Sequence, residues 1–137
     1  NEIHLANYCS VIGIEARTMV DMVKRDIFPA VTGYAGQVAG NITSKRAVFS
    51  DLDCAAEEKL LRRLNDLTGQ MMLQCEYLEN ALAVPRSGNA YEAAHYYRYT
   101  VFATMEKLRA AVDELETITS SAFWPYPSYT DLLFSVR

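Results

Sequence analysis

The sequence has no long apolar run: nothing approaches the ~20 apolar residues a helix needs to cross a bilayer, and no charged-then-apolar leader opens it. A membrane is therefore not an expected partner. A basic block is missing too, since 17 acidic and 13 basic residues leave a net charge of −4. The doublets Lys24-Arg25, Lys45-Arg46 and Arg62-Arg63 are isolated and read as solvated helix faces. Without a basic face to neutralise phosphates, nucleic acid is not an expected partner either. Cysteine is scarce: Cys9, Cys54 and Cys75 form an odd set without CxxC spacing, which suggests neither a disulfide framework nor a zinc knuckle and fits a reducing compartment. The triplet Asn41-Ile42-Thr43 matches a glycosylation sequon by chance in that setting.

Chemistry-bearing motifs are equally absent. There is no GxxxxGK phosphate loop, GxGxxG, GxSxG or HExxH. His4 and His95 lie far apart and do not form the paired Glu-x-x-His set of di-iron bundles, so His95, beside Tyr96 and Tyr97, reads as a packing or partly exposed residue. Glu76 with Glu79, and Glu114 with Glu116, read as solvated faces rather than a buried carboxylate cluster. No catalytic, cofactor-binding or metal-ligating residue is assigned.

What is present is helical periodicity. With 137 residues, half of them hydrophobic, the chain is long enough to bury roughly two thirds of its unfolded surface in one domain. Ile12, Ala16, Met19, Val20, Val23, Ile27, Val31, Tyr34 and Val38 recur every three or four residues and predict one amphipathic helix over about 3–40. The stripe stays in phase across Pro29, which predicts a kink rather than a break, and Gly33, Gly36 and Gly40 weaken the helix toward its end. Residues 41–50 read as a loop. Ser50-Asp51-Leu52-Asp53 offers a cap for a second helix, 51–84, with a seam of Leu60, Leu64, Leu67, Met71, Leu78 and Leu82. Gln74 takes the one polar seam position, Cys75 adjoins the seam as an inert thiol, and Glu58 is placed to pair with Arg62. Pro85 ends this helix. After the turn at Arg86-Ser87-Gly88, Asn89 and Glu92 open a third helix, 89–122, on Ala94, Tyr97, Val101, Met105, Leu108, Val112, Leu115 and Ile118. Tyr91, Tyr96, Tyr97 and Tyr99 crowd its start and read as core and rim.

The expected fold is thus all-α, an up-down-up bundle of three long helices in a single domain, 1–137. An extended arm, 123–137, follows, because prolines alternate with aromatics in Phe123-Trp124-Pro125-Tyr126-Pro127-Ser128-Tyr129. The arm is expected to end in a short helical turn carrying Leu132, Leu133 and Phe134. Trp124, Pro125, Tyr126, Pro127, Tyr129, Leu132, Leu133 and Phe134 are the candidate contact residues, on this bundle or beyond it. The chain opens without Met in a helix-like pattern, which reads as a piece of a larger protein.

The run Ile14-Glu15-Ala16-Arg17-Thr18-Met19-Val20-Asp21-Met22, continued by Ile27-Phe28-Pro29-Ala30-Val31 and Tyr34, resembles the start of the helical C-terminal region of type III glutamine synthetases. Trp124-Pro125-Tyr126-Pro127-Ser128-Tyr129-Thr130-Asp131-Leu132-Leu133-Phe134 resembles the tail of that family, and Arg109-Ala110-Ala111-Val112-Asp113-Glu114-Leu115-Glu116 the helix before it. The resemblance implies a cytoplasmic parent enzyme that joins glutamate and ammonia with ATP and Mg or Mn through a γ-glutamyl phosphate. Its catalytic motifs lie upstream and none occurs here, so the resemblance implies an inactive, architectural fragment. Its partners would be the rest of its subunit and neighbouring subunits of a dodecamer. The alternative is a free-standing helical interaction module whose aromatic arm grips a partner protein; a bundle holding a metal or small ligand is a third reading.

Overall fold

A computed structural model describes residues 1–127. Its elements are α1 (Glu2–Met22), a π-helical segment (Val23–Ile27), α2 (Phe28–Val48), α3 (Ala55–Ala83), α4 (Ala90–Tyr96), a second π-helical segment (Tyr97–Phe102) and α5 (Ala103–Ile118). Among the described residues there is no strand, and no helix is long and apolar enough to cross a membrane. Backbone angles stay right-handed helical through both π segments, so the seven elements make three continuous rods. They run up, down and up.

The first rod, α1 to α2, is about 70 Å long at 1.5 Å per residue. Pro29 is accommodated without a break because the turn before it widens: Phe28 N–H donates to Val23 O, five residues back. A π turn is a recognised way to place a proline, whose ring crowds an ordinary α register. The rod also runs past Gly40 to Val48, where a loop had been expected. Glycine's cost of about 1 kcal/mol per residue is overridden here by packing and by charge. Ile42 is half-buried, and Lys45 and Arg46 occupy the negative end of the rod while reaching Glu57 and Glu58 of α3 at 2.7 Å each.

The second rod starts later than its sequence suggested, at Ala55, whose N–H is capped by Asp53 Oδ1 at 2.9 Å. Its buried line is Leu64, Leu67, Met71, Cys75, Leu78 and Ala81; Cys75 fills the seam and Gln74 stays at its edge. Glu58 pairs with Arg46 across the bundle, not with Arg62 along its own helix. Arg63 pairs with Glu114 and Lys24 with Glu79, so the cationic doublets fasten rod to rod along the rims. Such exposed pairs are screened by water and add little to stability, so their larger role is to fix register.

At the second connection Gly88 adopts φ +75°, and a Cβ there would strike the Glu92 carboxylate. Asn89 Oδ1 then accepts from Glu92 N–H at 2.9 Å and opens α4. The third rod buries Ala94, Tyr97, Val101, Met105, Leu108, Ala111 and Leu115 against the other two. One apolar core results, running the length of the bundle.

Candidate interaction surface

The arm leaves the third rod through a turn built on Ser120, whose carbonyl accepts from Phe123 N–H (2.9 Å) and Trp124 N–H (3.0 Å). It turns back onto the first rod. The Phe123 ring meets Tyr34 with centroids 5.3 Å apart, beside Gly33 of α2. Trp124 and Tyr126 lie half-buried against the core, and the Tyr126 hydroxyl donates to Asp26 Oδ2 at 2.7 Å, within the first π segment. Burial, the hydrogen bond to Asp26 and the negative charges of Asp26 and Asp21 push the Tyr126 phenol from 10.0 up to about 12. Of the candidate contact residues, Trp124 and Tyr126 pack half-buried on this chain's own bundle, while Pro125 and Pro127 are exposed; over 121–127 the chain forms a turn followed by bends, where an extended arm had been expected. Tyr129, Leu132, Leu133 and Phe134 lie outside the described residues, as does the expected terminal helical turn.

The tyrosines at the start of the third rod do not form one groove. Tyr97 is buried, Tyr96 donates to Ala81 O at 2.8 Å and closes the α3–α4 corner, while Tyr91 and Tyr99 are exposed. Arg86 lies 5.1 Å over the Tyr97 ring, which packs beside Gly13 of α1. Burial raises the Tyr96 phenol and the Cys75 thiol above their usual ranges; Cys75 is thus a protonated, poorly nucleophilic core residue. Met71 is core, and the exposed His95 ring lies against Tyr99, tilted 42° to it with centroids 4.5 Å apart.

Ionisable side chains do not converge. Glu79 is taken by Lys24 and Glu114 by Arg63, whereas Glu76 and Glu116 face outward. Among the described residues no group of three His, Cys, Asp or Glu is placed to hold a metal ion, and the open grooves between rods carry no phosphate-cradling loop.

Sequence reasoning missed one surface. Ile3 (72% exposed), Val11 (52%), Ile14 (64%) and Met22 (37%) project from α1 on the side opposite Cys9, Ile12 and Ala16. The signal was a second apolar set, spaced by eight, three and eight residues and so returning to one side of a helix, out of phase with the core stripe.

Three helical rods with an aromatic segment folded back on the first of them make this an all-helical bundle. Its kinship is specific. Residues 1–46, the first rod down to Arg46, match the model of the glutamine synthetase C-terminal domain. The chain is 32% identical over 137 residues to a glutamine synthetase of Butyrivibrio fibrisolvens, covering 99% of this chain and 20% of that protein. It is 25% identical over 139 residues to a glutamine synthetase of Bacteroides fragilis (strain YCH46), covering 98% and 19%. With the type-3 glutamine synthetase of Dictyostelium discoideum it shares 24% identity over 138 residues, covering 97% and 19%. The chain spans about a fifth of the length of these relatives and corresponds to their C-terminal part. The resemblance read from its two ends therefore holds: the chain matches the C-terminal domain of glutamine synthetase.

Proposed function

We propose that this chain is the C-terminal helical domain of an ATP-dependent glutamate–ammonia ligase, in which it serves subunit architecture and takes no part in chemistry. The carrying observation is its alignment, end to end, with a fifth of three glutamine synthetases, including a type-3 enzyme. In this proposal the parent enzyme is cytoplasmic, forms γ-glutamyl phosphate from glutamate and ATP with Mg or Mn held elsewhere in the subunit, and releases glutamine after attack by ammonia. Trp124, Pro125, Tyr126 and Pro127 anchor the arm to the bundle. Tyr129, Leu132, Leu133 and Phe134 then contact the rest of the subunit or a neighbour in a homo-oligomer, a dodecamer by family resemblance.

The coding sequence upstream of Asn1 tests this directly. An in-frame extension rich in metal-ligating glutamates is expected, together with neither ATP hydrolysis nor glutamine formation by the 137 residues alone. A start codon close to Asn1, or turnover by the isolated chain, would overturn the proposal. The exposed apolar side of α1 also suits the second reading, a free-standing interaction module, and a start codon close to Asn1 would favour it.

A further inference from the structure

The outer side of α1 has a pattern of its own. Ile3, Asn7, Val11, Ile14, Thr18 and Met22 follow one another in steps of four, four, three, four and four, the spacing of a coiled-coil seam, and all six are exposed. The core side of the same helix is already filled by Cys9, Ile12, Gly13 and Ala16 packed into the bundle. A helix apolar on two opposite sides has a second side to cover.

The seam is a palindrome about the midpoint between Ile12 and Gly13. Turned end for end, Ile3 falls on Met22, Asn7 on Thr18 and Val11 on Ile14, so apolar meets apolar and polar meets polar. A two-fold homodimer contact has this property, because residue i must suit j wherever j suits i. We propose that α1 pairs antiparallel with α1 of a second copy of this chain, about a two-fold axis passing between Ile12 and Gly13.

Three observations favour a second copy over an unrelated helix. The chemical palindrome is needed only for self-pairing. The Thr18 hydroxyl donates to Ile14 O at 3.0 Å, so its lone pairs are left to accept from the Asn7 amide across the axis; one such polar pair fixes the register of an otherwise oily seam. Charge agrees as well: the same symmetry brings His4 opposite Asp21 and sets no two like-charged side chains against each other. Ile14, Thr18 and Met22 also line an open groove against Met105 and Val112 of α5, which gives the incoming helix a second flank. The inference goes beyond the proposed function and stands or falls without it.

The test is sedimentation of the full 137-residue chain, whose monomer mass is 15.4 kDa. A dimer at micromolar concentration is expected. Ile14→Glu and Val11→Lys should each weaken it by on the order of a hundredfold, since each desolvates a charge against an apolar side chain. The double variant should dimerise again, because the antiparallel register sets Lys at 11 against Glu at 14 twice. Both positions are exposed, so circular dichroism should report unchanged helix content. If either variant loses helix, Asp21→Lys, His4→Glu and their combination make the same test farther out on the seam. A monomeric wild type, a dimer indifferent to Ile14→Glu, or a folded double variant that stays monomeric overturns the proposal.

Discussion

The first rod and α3 pack against each other, yet they are built differently. α3 carries one buried line, Leu64, Leu67, Met71, Cys75, Leu78 and Ala81, in a helix that keeps α register throughout. The first rod contains a proline, three glycines from 33 to 40 and a π segment, and its α1 portion is apolar on two sides. The contrast separates two jobs: α3 is dedicated to the core, and the first rod divides its surface among core, arm and an outer seam. The family's model matches the first rod, the element with several surfaces to serve.

The heaviest way to break that division is at α3. Leu78 is fully buried, and Leu78→Ala should cost about 3 kcal/mol from lost burial and the cavity left behind, read as a lower denaturant midpoint. An effect below about 1 kcal/mol would mean that α3 is not the keystone of the core. Next comes the arm. Trp124 is only half-buried on the bundle, so Trp124→Ala should lower stability by about 1–2 kcal/mol, visible as a drop in melting temperature. An unchanged melting curve would place the arm's binding site elsewhere.

Smaller effects sharpen the picture at the arm's root and tip. Thr119 is buried and its hydroxyl has no partner among the described residues, while its extended backbone (φ −93°, ψ 132°) suits a β-branched side chain. Thr119→Val should therefore stabilise the fold by about 1 kcal/mol in chemical denaturation; a loss instead would reveal a partner for that hydroxyl. Tyr126 supplies a pH signature. Its phenol is raised in the fold from 10.0 to about 12, first by burial and then by Asp26. The folded chain thus holds a proton that the unfolded chain has released, and the contribution is complete below pH 10 and disappears as pH rises through about 12. Trp124 fluorescence should report release of the arm in that window, and Tyr126→Phe should abolish this component; an identical alkaline profile in the variant would unseat the Asp26 contact.

Much of this fold was legible because three- and four-residue periodicity is a local property. The seams of all three rods, the Asn89 cap and the turn at Gly88 could be read residue by residue. Where reading failed, distant partners had decided. The rod passes Gly40 because Lys45 and Arg46 find Glu57 and Glu58 on a neighbouring helix, and Glu58 forgoes Arg62 for the same reason. Neither π segment leaves a trace in the apolar pattern, since the wider turn absorbs its surplus residue and keeps the core stripe in phase. The outer seam of α1 was written plainly in Ile3, Val11 and Ile14, but the core stripe had already accounted for the helix.

That surplus residue makes the rods unequal toward loss of length. A π turn is an α turn with one residue too many. Removing a single exposed position from Tyr97–Phe102, Arg98 for instance, would let the third rod relax to ordinary pitch with Met105, Leu108 and Leu115 still facing inward. The same deletion inside α3 has no slack to draw on, and would swing every later seam residue about 100° around the helix, out of the core and into water.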